Sequence, residues 1–129
     1  KENCTSDFFY STAQGCQDAY CRSKLGLMWL FDQMHQHYPA LHMYLVHPGV
    51  VDSGLMGDNP LPKCILISNE EGAQTTLICA TADTKLLVSG GYYHNTLGRV
   101  ELDSSDPALN ASKAETLWEV AENLIVPYL

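Results

Sequence analysis

Apolar positions recur at helical spacing between Asp18 and Tyr38. Leu27, Leu30, Phe31 and Met34 fall on one flank of a 3.6-residue repeat, which predicts a helix. It ends by Pro39, because the residue before a proline disfavours the helical region. Residues 1–17 are polar and turn-rich and predict a loop leading into that helix. Leu41-His-Met-Tyr-Leu-Val-His47 is strand-length and largely apolar, and Pro48-Gly49 stops it. Residues 54–67, with Pro60, Pro62 and two glycines, predict a mobile flap.

Two capping boxes mark later helices. Ser68-Asn-Glu-Glu71 places a serine at the N-cap and a glutamate three residues on, opening a helix to about Ala82 with Ala73, Leu77 and Ala80 on one face. Ser112-Lys-Ala-Glu115 repeats the pattern and predicts a last helix with Leu117, Val120, Ala121 and Leu124 inward. Between them Val88-Ser-Gly-Gly-Tyr-Tyr-His94 reads as a second short strand. Helix feeding strand over a short link points to α/β layers around a parallel sheet. Ligands in such sheets sit beyond the carboxyl ends of the strands, where His47-Pro-Gly-Val-Val-Asp-Ser53 falls.

Composition narrows the function classes. The 129 residues are 46% hydrophobic and 17% charged, which fits a soluble globular unit. A net charge of −8 argues against a nucleic-acid or anionic-membrane surface, since both need Lys/Arg patches. No apolar run approaches the ~20 residues that cross a bilayer. The five cysteines are odd in number, scattered and never in a Cys-x-x-Cys pair, so neither a disulfide framework nor a metal site is expected. A reducing, intracellular setting, cytoplasmic or organelle-associated, is the expectation. His35 and His37 diverge on the helix and read as solvated.

The chemistry gathers on Tyr20 and Lys24. Four residues apart on a helix, they stand one above the other. A free phenol titrates near ~10, and an adjacent ammonium can lower that by roughly one to three units. Such a pair can exchange a proton with an alcohol or carbonyl oxygen. The competing reading is a surface pair contributing a few tenths of a kcal/mol.

Five stretches in order, Tyr20-Cys-Arg-Ser-Lys24, His47-Pro-Gly-Val-Val-Asp-Ser53, Glu70-Glu-Gly-Ala-Gln-Thr75, Ser89-Gly-Gly-Tyr-Tyr93 and Leu117-Trp118, resemble the short-chain dehydrogenase/reductase family, in particular its retinol-dehydrogenase branch. The resemblance runs from about Tyr20 to Ile125. It implies a Rossmann-like, doubly wound parallel sheet, of which these residues are the C-terminal portion: the last two strands and three helices. The whole of 1–129 is then the catalytic and flap half of one domain, with its dinucleotide-binding half absent. It implies Tyr20 as the catalytic acid/base and Lys24 as the group that lowers its pKa and hydrogen-bonds the nicotinamide ribose. Pro48, Gly49 and Val51 match the family's Pro-Gly-x-Val stretch at the nicotinamide. Ser53 keeps a hydroxyl where the family usually has threonine.

The implied cofactor is NAD or NADP, and the implied substrate a small-molecule alcohol or carbonyl. The glycine-rich pyrophosphate turn and the family's upstream Asn and catalytic Ser have no counterpart here. Ser6 and Ser11 follow no strand-like run and are not assigned that role. Two strands alone leave a sheet edge unpaired, so the missing half or another chain is expected to complete it, with oligomerisation an open possibility. The alternative is a non-catalytic accessory or structural subunit derived from the same fold.

Overall fold

The computed structural model describes residues 13–53 and 65–128. Most of the predicted flap lies outside the described residues. Two compact units emerge, one containing the long first helix and the chain from Asp103 onward, the other running Tyr38–Leu102. Helices from opposite ends of the chain build the first, while the middle of the chain closes on itself through a strand pair.

In the first unit, helix α1 spans Ala13–His37 and helix α3 spans Ala111–Ile125. α1 starts within the segment predicted as a loop. Its first turns are polar, so they add no hydrophobic period, yet extending an existing helix gains a hydrogen bond for each residue fixed. The stripe that meets α3 also differs from the predicted flank. Leu27 and Met34 are exposed, whereas Gly26 meets Leu117, Trp29 lies under Lys113, His37 meets Trp118, and Gln33 is buried.

Trp29 Nε1 donates to the Pro107 carbonyl at 2.9 Å, and the Lys113 ammonium lies 5.8 Å from the Trp29 ring centroid. His37 is exposed, as the sequence predicts, and also stacks on Trp118 with centroids 4.8 Å apart. α3 turns Ala114, Leu117, Trp118 and Ala121 inward and leaves Val120 and Leu124 exposed. The predicted cap is displaced too. Asn110, not Ser112, is the N-cap, its side chain accepting the Lys113 N–H at 3.0 Å, and Ser112 lies inside the helix.

Among the described residues, the second unit is a three-stranded mixed sheet with helix α2 (Asn69–Thr81) packed on it. Strand β1 (Leu45–His47) runs parallel to β2 (Tyr92–His94), which pairs antiparallel with β3 (Gly98–Val100). Two parallel strands were expected; the third comes from a short hairpin through Asn95-Thr-Leu-Gly98. The strands are also shorter than predicted. Gly91 N–H closes a turn onto the Val88 carbonyl at 3.0 Å, so β2 begins only at Tyr92. Tyr93, buried, meets Tyr44 edge-on at 5.9 Å and accepts the Val88 N–H on its hydroxyl at 2.8 Å.

Helix α2 (Asn69–Thr81) begins as the sequence predicts. Ser68 Oγ takes the Glu71 N–H, and the Glu71 carboxylate takes the Ser68 N–H. Its inner face is another matter. Leu77 and Ile78 are more than half exposed, and Gly72, Thr75 and Cys79 form the covered side. Gly72 sits against Val51, and Thr75 donates both its N–H and its hydroxyl to Asn95 Oδ1, at 3.2 and 2.8 Å. Hydrophobicity counting misses such a face because glycine scores as neutral while allowing the closest approach.

Candidate active site

α1 delivers Tyr20 and Lys24. The helix is long enough to carry both on one face, and the Lys24 ammonium stands 5.5 Å from the Tyr20 ring centroid. Both side chains are exposed. The contact is between the ammonium and the aromatic ring, the arrangement of a cation–π pair. Cys21, a free thiol, follows Tyr20 and is exposed as well.

In the second unit Pro48, Gly49, Val51 and Ser53 lie on one turn leaving β1. Gly49 has φ of +87°, a conformation that side chains resist, and its N–H folds back to His47 Nδ1 at 2.9 Å. The Ile67 N–H reaches the Val50 carbonyl at 3.0 Å and the Asp52 N–H reaches the Ile67 carbonyl at 2.9 Å, an isolated parallel bridge centred on Val51. Pairing of this kind uses the neighbours of Val51, so Val51's own N–H and C=O point away from Ile67. The Ser53 N–H returns to the Val51 carbonyl at 2.8 Å.

Each unit thus brings together the residues predicted within it: Tyr20 with Lys24 on α1, and Pro48, Gly49, Val51 and Ser53 on the turn. His47 and His94 were missed as a working pair. The signal was present, since a histidine two residues before a turn glycine can accept its N–H, but the choice of rotamer is not written in the sequence. Burial and the neighbouring His94 hold the His47 imidazole below its ordinary pKa, and burial pushes the Cys79 thiol up.

Within the second unit Val51 offers a backbone edge not used by Ile67 and Ser53 carries a hydroxyl. No glycine-rich phosphate turn is present in the sequence. Among the described residues there is no cluster of three or more His, Cys, Asp or Glu able to hold a metal, and no helix long and apolar enough to cross a membrane.

The chain is 33% identical over 117 residues to retinol dehydrogenase 12 of Homo sapiens and 32% identical to that of Bos taurus. It is 28% identical over 124 residues to the chloroplastic protochlorophyllide reductase of Chlamydomonas reinhardtii. Each match covers 83% of this chain. The chain belongs to the short-chain dehydrogenase/reductase family. It is retinol-dehydrogenase-like within that family of oxidoreductases. The matches cover 36% of each retinol dehydrogenase and 31% of the reductase, so the chain spans about a third of the length of these relatives. No family model and no solved structure matches it.

Proposed function

We propose that these residues form the proton-transfer and nicotinamide-facing part of an NAD(P)-dependent oxidoreductase that interconverts an alcohol and a carbonyl. The observation that carries the reading is the Tyr20–Lys24 pair, with the ammonium 5.5 Å from the ring centroid on an exposed helix face. Tyr20 gives its proton to the carbonyl oxygen in reduction and removes one from the hydroxyl in oxidation. Lys24 stabilises the negative charge that gathers on the phenol oxygen as the proton leaves, and hydrogen-bonds the nicotinamide ribose. When bound, the dinucleotide supplies or accepts the hydride.

Pro48, Gly49 and Val51 would shape the nicotinamide pocket and contact it through backbone, and Ser53 would offer a hydroxyl to the carboxamide or pyrophosphate. In this proposal the parallel pair β1–β2 belongs to a Rossmann-like doubly wound sheet. Its remaining strands, the phosphate cradle and the catalytic Ser and Asn come from sequence outside these 129 residues or from another chain. The retinol dehydrogenase relatives support an alcohol or aldehyde substrate of retinoid type.

The test is oxidation of retinol and other primary and secondary alcohols by the full-length protein with NAD or NADP, followed through the nicotinamide absorbance. Turnover that needs both dinucleotide and alcohol supports the reading. A folded protein that binds no dinucleotide and turns over none of these alcohols overturns it in favour of an accessory subunit.

A further inference from the structure

β1 and β2 end side by side on histidines. Their register pairs His47 with His94, and two parallel strands in register send opposed side chains to the same face. The imidazoles stack with centroids 4.7 Å apart and planes 13° from parallel. Each ring is also tied to its own chain two residues on. Gly49 N–H donates to His47 Nδ1 at 2.9 Å, and Thr96 N–H donates to His94 Nδ1 at 3.2 Å, with Thr96 Oγ1 3.0 Å from the same nitrogen. A nitrogen that accepts an N–H carries no proton, so the His47 ring that takes the Gly49 N–H has its hydrogen on Nε2.

The consequences fall on the turn between β1 and Val51. His47 holds it twice, since its carbonyl also accepts the Asn95 N–H at 3.0 Å. Gly49 is free to take φ of either sign, and the His47 Nδ1 bond helps fix it at +87°. Further along, Val50 and Asp52 are held by Ile67. His47 therefore secures the near end of the turn and Ile67 the far end.

We propose that His47 is a positioning residue: by taking the Gly49 N–H on Nδ1 it holds Pro48-Gly49-Val50-Val51 in the form that receives the nicotinamide, and His94, stacked on the ring, keeps Nδ1 aimed. This rests on the functional reading above. It also makes the turn sensitive to acid. A proton on Nδ1 turns the acceptor into a donor facing a donor, and two charged rings at this spacing repel. The titratable groups on the elements packed against β1 are His94, Tyr92 and Tyr93 on β2 and Glu70, Glu71 and Cys79 on α2. Glu71 is engaged at the Ser68 N–H and Tyr93 at the Val88 N–H. Besides burial, His94 is the group that acts on His47, and both keep it neutral.

Two substitutions in the full-length protein separate acceptor from ring. His47→Phe keeps a ring over His94 and removes the acceptor. His47→Asn removes the ring but places a side-chain oxygen where it can take the N–H two residues on, as asparagine does in turns. In His47→Phe the Gly49 amide should exchange about fivefold faster, the factor set by one ordinary hydrogen bond. KM for NADH or NADPH should rise by a similar factor while kcat changes less. His47→Asn should restore both and flatten the acid side of the KM profile.

Wild-type exchange and KM in His47→Phe overturn the proposal, as does faster Gly49 exchange with an unchanged KM, or a failure of His47→Asn to restore. If the wild-type protein binds neither NADH nor NADPH, the functional reading falls as well. That result is distinct from a wild type that binds and a His47→Phe variant that binds equally.

Discussion

Gly72 of α2 and Val51 of the turn meet so closely that a methyl on Gly72 would lie 2.6 Å from Val51 Cγ2. That distance is inside any real carbon–carbon contact. Val51 is β-branched and has few rotamers into which to retreat. The Pro48 carbonyl, 3.6 Å from the same point, closes the other side. Helix and turn are thus docked through the absence of one side chain.

Gly72→Ala should therefore destabilise the protein, against the usual trend. In a helix interior the exchange normally gains roughly 0.5–1 kcal/mol. Overpacking of this kind costs about 1–3 kcal/mol, so a net loss of about 1 kcal/mol or more is expected. Denaturant midpoints of the two proteins check it. An unchanged or raised midpoint would mean that the turn yields freely, and that Val51 is held less firmly than its bridge to Ile67 implies.

The start of α3 offers a sharp comparison between neighbours. Asn110 accepts the Lys113 N–H, so Asn110→Ala should cost about 1 kcal/mol, the usual value of an N-cap. Ser112→Ala should cost little, because Ser112 is already within the helix and no cap depends on its hydroxyl. The ranking of the two denaturation midpoints decides it. Equal losses would restore Ser112 to the capping role that the sequence pattern suggests.

That pair also shows what the sequence could and could not say. Asn110-x-x-Lys113 and Ser112-x-x-Glu115 overlap, and a local rule cannot choose between two good caps two residues apart. At α2 the reciprocal Ser68-x-x-Glu71 box singles out Ser68 over the adjacent Asn69, and the structure has that cap. Tyr20 and Lys24 were legible as a pair because an i,i+4 spacing fixes their relation once a helix forms. The inner faces of α1 and α2 were not. Gly26, Gln33, Gly72 and Thr75 make contacts that a count of apolar residues passes over. β3 was invisible for a different reason. Three residues of Gly-Arg-Val carry no alternation, and their strand character comes from pairing with β2. The role of His47 depends on a side-chain rotamer and a partner 47 residues away in the chain, neither of which has a local signature.

Acid should weaken the second unit through His47. Its pKa in the folded protein is lowered, first by burial and then by His94, so the unfolded chain takes up the proton more readily. The sign follows from linkage: stability rises with pH wherever the unfolded state binds more protons. The contribution is therefore complete above the ordinary histidine value near ~6.5 and is lost as pH falls from there through the folded pKa. His47→Asn, which does not titrate, should show a shallower fall in denaturant midpoint between about pH 7 and pH 5 than wild type. Parallel slopes would show that other groups govern the acid limb.

Tyr20→Phe in the full-length protein tests the chemistry directly. The substitution keeps the ring, which is exposed and adds little to the packing, and removes the one proton that the proposed reaction moves. General acid–base catalysis is worth roughly 10²–10⁴-fold, so kcat should fall by about that factor with little change in the denaturation midpoint. Lys24→Ala should act on two quantities, lowering kcat and raising KM for the dinucleotide, because one ammonium is assigned to both the phenol and the nicotinamide ribose. The two effects come from different partners and need not be equal. A surface pair with no chemical role predicts a stability change of a few tenths of a kcal/mol and no kinetic effect in either variant. Steady-state rates, measured where the chemical step limits turnover, separate these outcomes. An unchanged kcat in Tyr20→Phe would take the phenol out of the reaction, however well its lysine neighbour is placed.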